Sequence, residues 1–163
     1  MSVFSEYQTD TIDLALDFYG YEDCPKNYEF GPSVRENFVL HFITKGKGVF
    51  HFNKKEIHLE AGDLFLLPKN KVTYYKADEE EPWSYYWIGI SGTKVSDFMR
   101  FSTLHEKGFL KKTEVETEKI GQFMEQLVHK AEASKMTSHY QLHLLSQIYE
   151  LLYLIGEVAP YVY

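Results

Sequence analysis

The fold is decided by residues 46–92, which read GKGVFHFNKKEIHLEAGDLFLLPKNKVTYYKADEEEPWSYYWIGISG. Short apolar runs alternate in this stretch with turn residues such as Gly, Asn, Asp and Pro. Strands this short and this regularly spaced are typical of a β-sandwich or a β-barrel. We therefore predict that the stretch forms most of a small barrel.

The last strand predicted in this stretch, residues 83–90, carries three large rings on one face. Side chains of a strand alternate between its two faces, so Trp83, Tyr85 and Trp87 point the same way. Indole and phenol rings bind the apolar faces of sugars and other flat ligands. The same rings could instead fill the barrel interior, and spacing alone leaves both interpretations open.

Two further apolar runs extend the barrel. Residues 38–43, FVLHFI, are followed by a Gly-rich turn and predict a strand that carries His41 at its middle. Residues 64–67, LFLL, are typical of a strand buried on both faces. His41, and Arg35 just before the first of these strands, are candidate ligand contacts. The simpler interpretation of His41 is a structural residue whose hydrogen bonds are made within the protein. The simpler interpretation of Arg35 is a charge exposed to solvent.

After Gly92 the apolar period becomes helical, and residues 118–133 and 139–155 read as two amphipathic helices. The apolar arc of the second helix is wider than packing on a single core requires, which favours a seam between two subunits over extra core. The residues predicted for this dimer interface are Leu144, Leu145, Ile148, Leu151, Leu152 and Ile155. The predicted fold class is mainly β with C-terminal helices (α+β), a small sandwich or barrel followed by a helical dimerisation hairpin.

The chain divides into four predicted parts. Residues 1–14 form an extended N-terminal arm, residues 15–92 the barrel, and residues 93–158 the helical dimerisation region. Residues 159–163 would begin a linker, since Pro160 permits the helix to end there.

Composition restricts the function classes. The 163 residues carry a net charge of −7 and no basic stripe, so this chain is not expected to bind nucleic acid directly. Cys24 is alone, which excludes an internal disulfide and fits a reducing cytoplasm. Neither a signal peptide nor an apolar run of about 20 residues is visible, so we predict a cytoplasmic location and no membrane partner.

The sequence lacks the motifs that would supply metal ligands or catalytic residues. Small barrels with scattered histidines are often metal cupins, but Asn53 and Thr73 stand where such a motif needs His. No nucleophile elbow, P-loop or dinucleotide turn is present. We therefore expect no metal, no cofactor and no enzymatic activity.

An ordered set of motifs resembles the N-terminal ligand-binding and dimerisation domain of AraC/XylS-type bacterial transcription regulators. The set consists of Gly46-x-Gly48, then Ala61-Gly62-Asp63-Leu64-x-Leu66-x-Pro68, then WSYYWIGISG at residues 83–92. The resemblance implies that the barrel is of the cupin type, a jelly roll, and that it is free of metal and binds an effector, often a sugar. It also implies a flexible arm that folds over the effector and helices that pair two subunits. Such regulators carry their DNA-binding motifs in a further C-terminal domain, which this chain does not include.

The resemblance also implies particular ligand contacts. The stacking Trp of the family matches Trp87, and a second pocket position matches Tyr85. A pocket Tyr that precedes an acidic loop, residues 77–82 here, matches Tyr74. The family's pocket Arg falls on Gly31 here, with Arg35 nearby. Together with His41, these give the candidate ligand-binding residues Trp87, Tyr85, Tyr74, His41 and Arg35.

The predicted function is therefore to sense a small molecule, a sugar in the first instance, to form a homodimer, and to control an attached helix-turn-helix domain. The alternatives are a small cupin enzyme, such as a sugar isomerase, and a pure dimerisation module with a filled barrel.

Overall fold

The computed structural model describes residues 2–5, 12–134 and 137–162, and within them it contains ten strands and four helices. The strands are β1 Ser2–Ser5, β2 Ala15–Asp23, β3 Glu29–Val34, β4 Phe38–Lys45, β5 Lys47–Phe52, β6 Lys55–Glu60, β7 Leu64–Leu67, β8 Val72–Ala77, β9 Ser84–Ser91 and β10 Phe109–Leu110. The helices are α1 Val95–Met99, α2 Leu104–Lys107, α3 Glu118–Ser134 and α4 Tyr140–Val158.

The strands form two antiparallel sheets that enclose a common interior. The larger sheet has the order β1-β2-β9-β4-β7-β10, and the smaller sheet has the order β3-β8-β5-β6. Neighbours in the sheets are often distant in sequence, which is typical of a jelly roll rather than a chain of hairpins. The predicted fold class, a cupin-type barrel followed by C-terminal helices, is confirmed.

The larger sheet separates two hydrophobic cores. In β7, Leu64 and Leu66 join the core under the helices, whereas Phe65 and Leu67 join the core between the sheets. All four are at most 1% exposed, as predicted for a strand buried on both faces. β9 alternates in the same way, with Tyr86 and Ile88 towards the helices and Tyr85 and Trp87 towards the interior.

A ring cluster fills the closed part of the barrel, with Phe65 at its centre. The Phe65 ring stacks on His41 at 4.3 Å between centroids and contacts Phe50 at 5.0 Å. It also lies 5.3 Å from both Tyr75 and Trp83. Trp83 is therefore a core residue, which agrees with the interpretation that the rings of this strand fill the barrel interior.

The turn before β7 is held by a buried carboxylate. Asp63 is 3% exposed and accepts hydrogen bonds from the backbone amides of Glu60 and Lys112, each at 2.9 Å. Gly62 has φ +98°, a conformation that favours glycine. The Gly-Asp pair thus ties two barrel strands to the segment that leads into α3.

Helices α3 and α4 pack on the outer face of the larger sheet and share one core with it. Four residues predicted for a dimer interface lie inside this core: Leu144 and Ile148 are 0% exposed, and Leu151 and Ile155 are 2% exposed. The prediction is wrong for these four, because the sheet has an apolar outer face that takes up the main stripe of α4. Leu145 and Leu152 are half-buried. None of the helices in the described part of the chain is long and apolar enough to cross a membrane.

The segments predicted as an N-terminal arm and as the start of a linker both make hydrogen bonds with the rest of the domain. Residues 2–5 of the predicted arm form β1, which pairs with β2, while residues 1 and 6–11 lie outside the described residues. At the other end, Ala159 is 4% exposed and its carbonyl accepts a hydrogen bond from the amide of Thr103. The Tyr161 amide donates to the carbonyl of Phe101, so the segment predicted to begin a linker is docked on the domain through residue 161.

Candidate functional site

A cavity of about 260 Å³ opens between the two sheets at one end of the barrel. Its wall combines aromatic rings with a few polar groups. The lining residues are Phe4, Phe18, Glu22, Tyr28, Phe30, Arg35, Val39, His41, Tyr75, Tyr85 and Trp87. A concave site with rings and convergent polar groups is the usual form of a small-molecule site.

Strand β9 supplies one wall through its inward side chains. Tyr85 is 2% exposed and Trp87 is half-buried, and their rings meet edge to face at 5.8 Å. Trp83, two residues before Tyr85, lies deeper, in the ring cluster. The burial of the inward rings therefore decreases along the strand, from Trp83 in the packed core to Trp87, which is accessible from the cavity.

The floor beneath Trp87 depends on a glycine. Gly20 of β2 pairs with Trp87 in the sheet, and a Cβ added at Gly20 would overlap the Trp87 indole and the carbonyl oxygen of Val3. Only a residue without a side chain permits both close approaches. The glycine thus lets the indole lie against the sheet while β1 pairs beside it.

Strand β1 places a ring at the cavity edge. Phe4 stacks on Trp87 with 6.2 Å between ring centroids and an angle of 26°, and it lies 6.1 Å from Phe18. Phe4 itself is 57% exposed. The arm therefore contributes one wall of the cavity through a side chain that is still open to solvent.

Arg35 and His41 supply polar nitrogens. The Arg35 guanidinium lies over the Phe30 ring at 4.7 Å and near the Phe18 ring at 5.6 Å. Its buried Nε has no hydrogen-bond partner among the described residues, and the same is true of Nδ1 of His41. Burial, with a smaller contribution from the Arg35 charge, lowers the pKa of His41 to about 3, so this imidazole is neutral at physiological pH.

The tyrosines supply hydroxyl groups that remain protonated. Burial raises the pKa of Tyr75 and of Tyr85 well above the ordinary value. Burial also raises the pKa of the nearby Cys24 thiol to about 11. These groups are therefore hydrogen-bonding groups at neutral pH, and the thiol is not an activated nucleophile.

A larger and more open cleft of about 680 Å³ lies outside the barrel. Its lining is mostly polar and charged, with Asp17, Glu36, Asn37, Lys69, Asn70 and Ser91 beside Phe18. It lacks, among the described residues, the facing rings that the smaller cavity presents. Size therefore favours the cleft, but chemistry favours the cavity as the ligand site.

The family model of the AraC-like ligand binding domain matches residues 15–152, which is most of the chain. The chain belongs to the AraC-like ligand binding domain family. The fold described above agrees with the resemblance seen in the sequence motifs.

Curated relatives of this AraC-like domain are transcriptional regulators. The Msm operon regulatory protein of Streptococcus mutans is 36% identical over 160 residues, 98% of this chain and 56% of that protein. The raffinose operon transcriptional regulatory protein of Pediococcus pentosaceus is 40% identical over 100 residues, 60% of this chain and 36% of that protein. The lactose operon transcription activator of Staphylococcus xylosus is 27% identical over 162 residues, 99% of this chain and 57% of that protein. The chain spans about half the length of the first and third of these relatives, and less of the second.

A solved structure also resembles the AraC-like domain. The crystal structure of a cupin superfamily protein from Desulfitobacterium hafniense is 14% identical, with a TM-score of 0.41. The likeness covers 55% of this chain and 76% of that chain.

The structure of the AraC-like domain brings four of the five predicted ligand-binding residues together. Trp87, Tyr85, His41 and Arg35 all line the cavity. Tyr74 does not, and its prediction as a cavity residue is wrong. It lies on the outer face of β8, where its hydroxyl donates to a Glu29 carboxylate oxygen at 2.6 Å. Because inward and outward positions alternate along β8, the neighbouring Tyr75 is the residue that faces the cavity.

Sequence reasoning missed several wall residues of the AraC-like domain, above all Phe18 and Glu22. Phe18, Gly20 and Glu22 are spaced by two, the period of one strand face, and this signal could have grouped them. A bulge between Leu16 and Phe18 interrupts the alternation near the start of β2, which hides the strand period from a local pattern.

The cupin metal positions do not converge in the AraC-like domain. His51 packs its ring 5.1 Å from Tyr74, on the outer face of the smaller sheet. The described residues contain no group of three or more His, Cys, Asp or Glu side chains placed to hold a metal ion.

Proposed function

We propose that this domain is the effector-sensing part of a cytoplasmic transcription regulator, and that it binds a sugar in the 260 Å³ cavity. DNA binding would belong to another part of such a regulator, as the matched length of the relatives suggests. The observation that carries the proposal is the half-buried Trp87 ring in the same cavity as Arg35 and His41, whose buried Nε and Nδ1 have no hydrogen-bond partner in the described part of the chain. The operon names of the relatives, raffinose and lactose, support a sugar as the effector.

The cavity suits one sugar ring. A pyranose has an apolar face of C–H groups, which an indole can cover, and a rim of hydroxyl groups that need hydrogen-bond partners. Ligand pockets usually hold about 300–1,000 Å³, so a cavity of about 260 Å³ lies just below this range. We propose that one ring of the effector enters the cavity, with Trp87 and Tyr85 as contacts on the β9 side.

A thermal-shift screen tests this proposal. Raffinose, lactose and their component monosaccharides are added to the domain, and a sugar at about 100 times its Kd should stabilise the fold by about 2.7 kcal/mol. Trp87→Ala should abolish the shift because it removes the stacking surface. Tyr74→Ala, on the outer face of β8, is the matched control and should retain the shift. Equal loss in both variants would contradict the assignment of the cavity.

We propose a non-enzymatic role for the domain. The regulator relatives and the absence of a metal-binding group among the described residues support this choice over the cupin isomerase alternative. Chromatography of any sugar that gives a thermal shift should recover it unchanged after prolonged incubation with the domain. Conversion to an isomer would contradict the proposal.

We also propose that the domain forms a homodimer, through a face of α4 that differs from the one that the sequence pattern predicted. Leu142, Tyr149 and Tyr153 are 74%, 46% and 61% exposed, and they form one stripe on the side of the helix away from the core. Phe101, 60% exposed, borders the same groove of about 370 Å³. An exposed apolar stripe with heptad-like spacing suits the same stripe of a second copy, related by a two-fold axis.

Sedimentation analysis of the double variant Leu142→Glu and Tyr153→Glu tests this interface. Charges buried at a two-fold seam lack partners, so dimerisation should weaken by about tenfold or more. Gln126→Glu adds charge at an exposed position of α3 and should leave the dimer unchanged. A dimer of undiminished affinity in the double variant would place the interface elsewhere.

A further inference from the structure

Among the described residues that line the cavity, one is a cation and one is an anion, and this combination bears on the chemical class of the ligand. Arg35 reaches the cavity from the loop between β3 and β4, and Glu22 reaches it from β2. Neither forms an ion pair within 4.0 Å with the other or with any other described residue. The two charges therefore face the same space without neutralising one another directly.

Arg35 is held in place by aromatic faces rather than by an acid. Its guanidinium lies over the rings of Phe30 and Phe18. These contacts fix the plane of the group and leave its donors available, and Nε is a buried donor without a described partner. A lone guanidinium presented in this way would favour an anionic ligand.

Glu22 opposes such an anion. It belongs to the inward face of β2, and burial raises the pKa of its carboxyl group. Both charges act on the wall residue Tyr28, whose pKa is raised first by burial, then by Glu22, and is lowered by Arg35. The charges of Arg35 and Glu22 therefore act in opposite directions on the wall, and the Glu22 carboxylate would repel a negatively charged ligand.

His41 adds a polar side chain that is more buried than those of Arg35 and Glu22. It is 3% exposed, and its Nδ1 has no partner among the described residues although it lies in the cavity wall. An unpaired buried nitrogen is costly unless a ligand or water satisfies it. A neutral imidazole can pair with a hydroxyl group as donor or as acceptor, whichever its tautomer allows.

We propose that the cavity selects an uncharged polyhydroxy ring and rejects its anionic analogues, and that Glu22 is the residue responsible for the rejection. This inference rests on the proposed sugar-binding function. A hydroxyl group donates to a carboxylate and accepts from a guanidinium, so an uncharged sugar can satisfy both Glu22 and Arg35. A uronate or a sugar phosphate would satisfy Arg35 but would bring a second negative charge towards Glu22.

Titration of the 163-residue chain with matched sugars tests the selectivity. Galactose is compared with galacturonate, and glucose with glucuronate, by calorimetry at fixed ionic strength. We expect the uncharged member of the pair that binds to have the lower Kd by about tenfold or more, since like charges in a shared site repel. Glu22→Gln should shift this ratio by about tenfold towards the anion, because Arg35 then acts unopposed.

Glu36→Gln is the matched control, since it removes one exposed carboxylate from the outer cleft and should leave the ratio unchanged. Preference of the wild type for the anion, or an unchanged ratio in Glu22→Gln, would overturn the selectivity while leaving sugar binding intact. If none of these monosaccharides binds, and raffinose and lactose also fail, the proposed function is overturned and the selectivity with it.

Discussion

Phe65→Ala should lower the free energy of unfolding by about 3–5 kcal/mol, the usual range for removing a buried Phe ring. Phe65 is 0% exposed and is the ring on which the interior cluster converges. Its loss would leave His41, Phe50, Tyr75 and Trp83 facing a cavity that the two sheets cannot easily close. Since domains are stable by only about 5–15 kcal/mol, this change would remove a large part of the total.

Urea unfolding followed by circular dichroism measures the effect. Ile12→Ala provides the comparison, because Ile12 is 78% exposed and its truncation should stay within about 0.5 kcal/mol. Phe65→Leu keeps most of the volume and should be milder than Phe65→Ala. A loss below about 1 kcal/mol in Phe65→Ala would be outside the range for a buried ring and would show that the cluster repacks.

Acidification from pH 7 to pH 4.5 should destabilise the domain by roughly 2–3 kcal/mol through His41 alone, because each pH unit between the two pKa values contributes about 1.4 kcal/mol. The folded pKa of His41 lies near 3, below the ordinary value of 6.5, because burial and the Arg35 charge disfavour the imidazolium. Above pH 6.5 both states are neutral and His41 has no effect. As the pH falls from 6.5 towards 3, only the unfolded chain binds the proton, so stability is lost throughout this window.

Unfolding free energies of the wild type and His41→Phe, measured at both pH values, isolate this effect. A Phe ring can take over the stack on Phe65, where the His41 ring lies at 4.3 Å and 7°. Every other titrating group is common to the two proteins, so the difference in their pH dependence reports His41. Parallel curves for wild type and variant would mean that His41 accepts the proton in the folded state.

Strand periodicity predicted much of the fold and one wall of the cavity. LFLL at residues 64–67 indicated a strand covered on both sides, and the structure has helices on one side and the smaller sheet on the other. Alternation placed Tyr85 and Trp87 on one face of β9, and both line the cavity. These inferences succeeded because a two-residue period depends only on local backbone geometry.

The remaining wall depends on information that is not local. Tyr74 and Tyr75 are adjacent and chemically alike, so only the pairing of β8 with β3 and β5 decides which one faces inward. Periodicity predicts the apolar stripe of α4 but does not identify the surface that covers the stripe. Leu144 and Ile148 meet the domain's own core instead of a second subunit.

Strand β9 is hydrogen-bonded on both sides, to β2 and to β4, while one of its faces lines the cavity and the other supports the helices. A single inserted or deleted residue within it would exchange the faces, sending Trp87 towards α3 and Tyr86 into the cavity. Relatives with different ligands should therefore differ by substitutions at the inward positions of β9 and keep its length fixed.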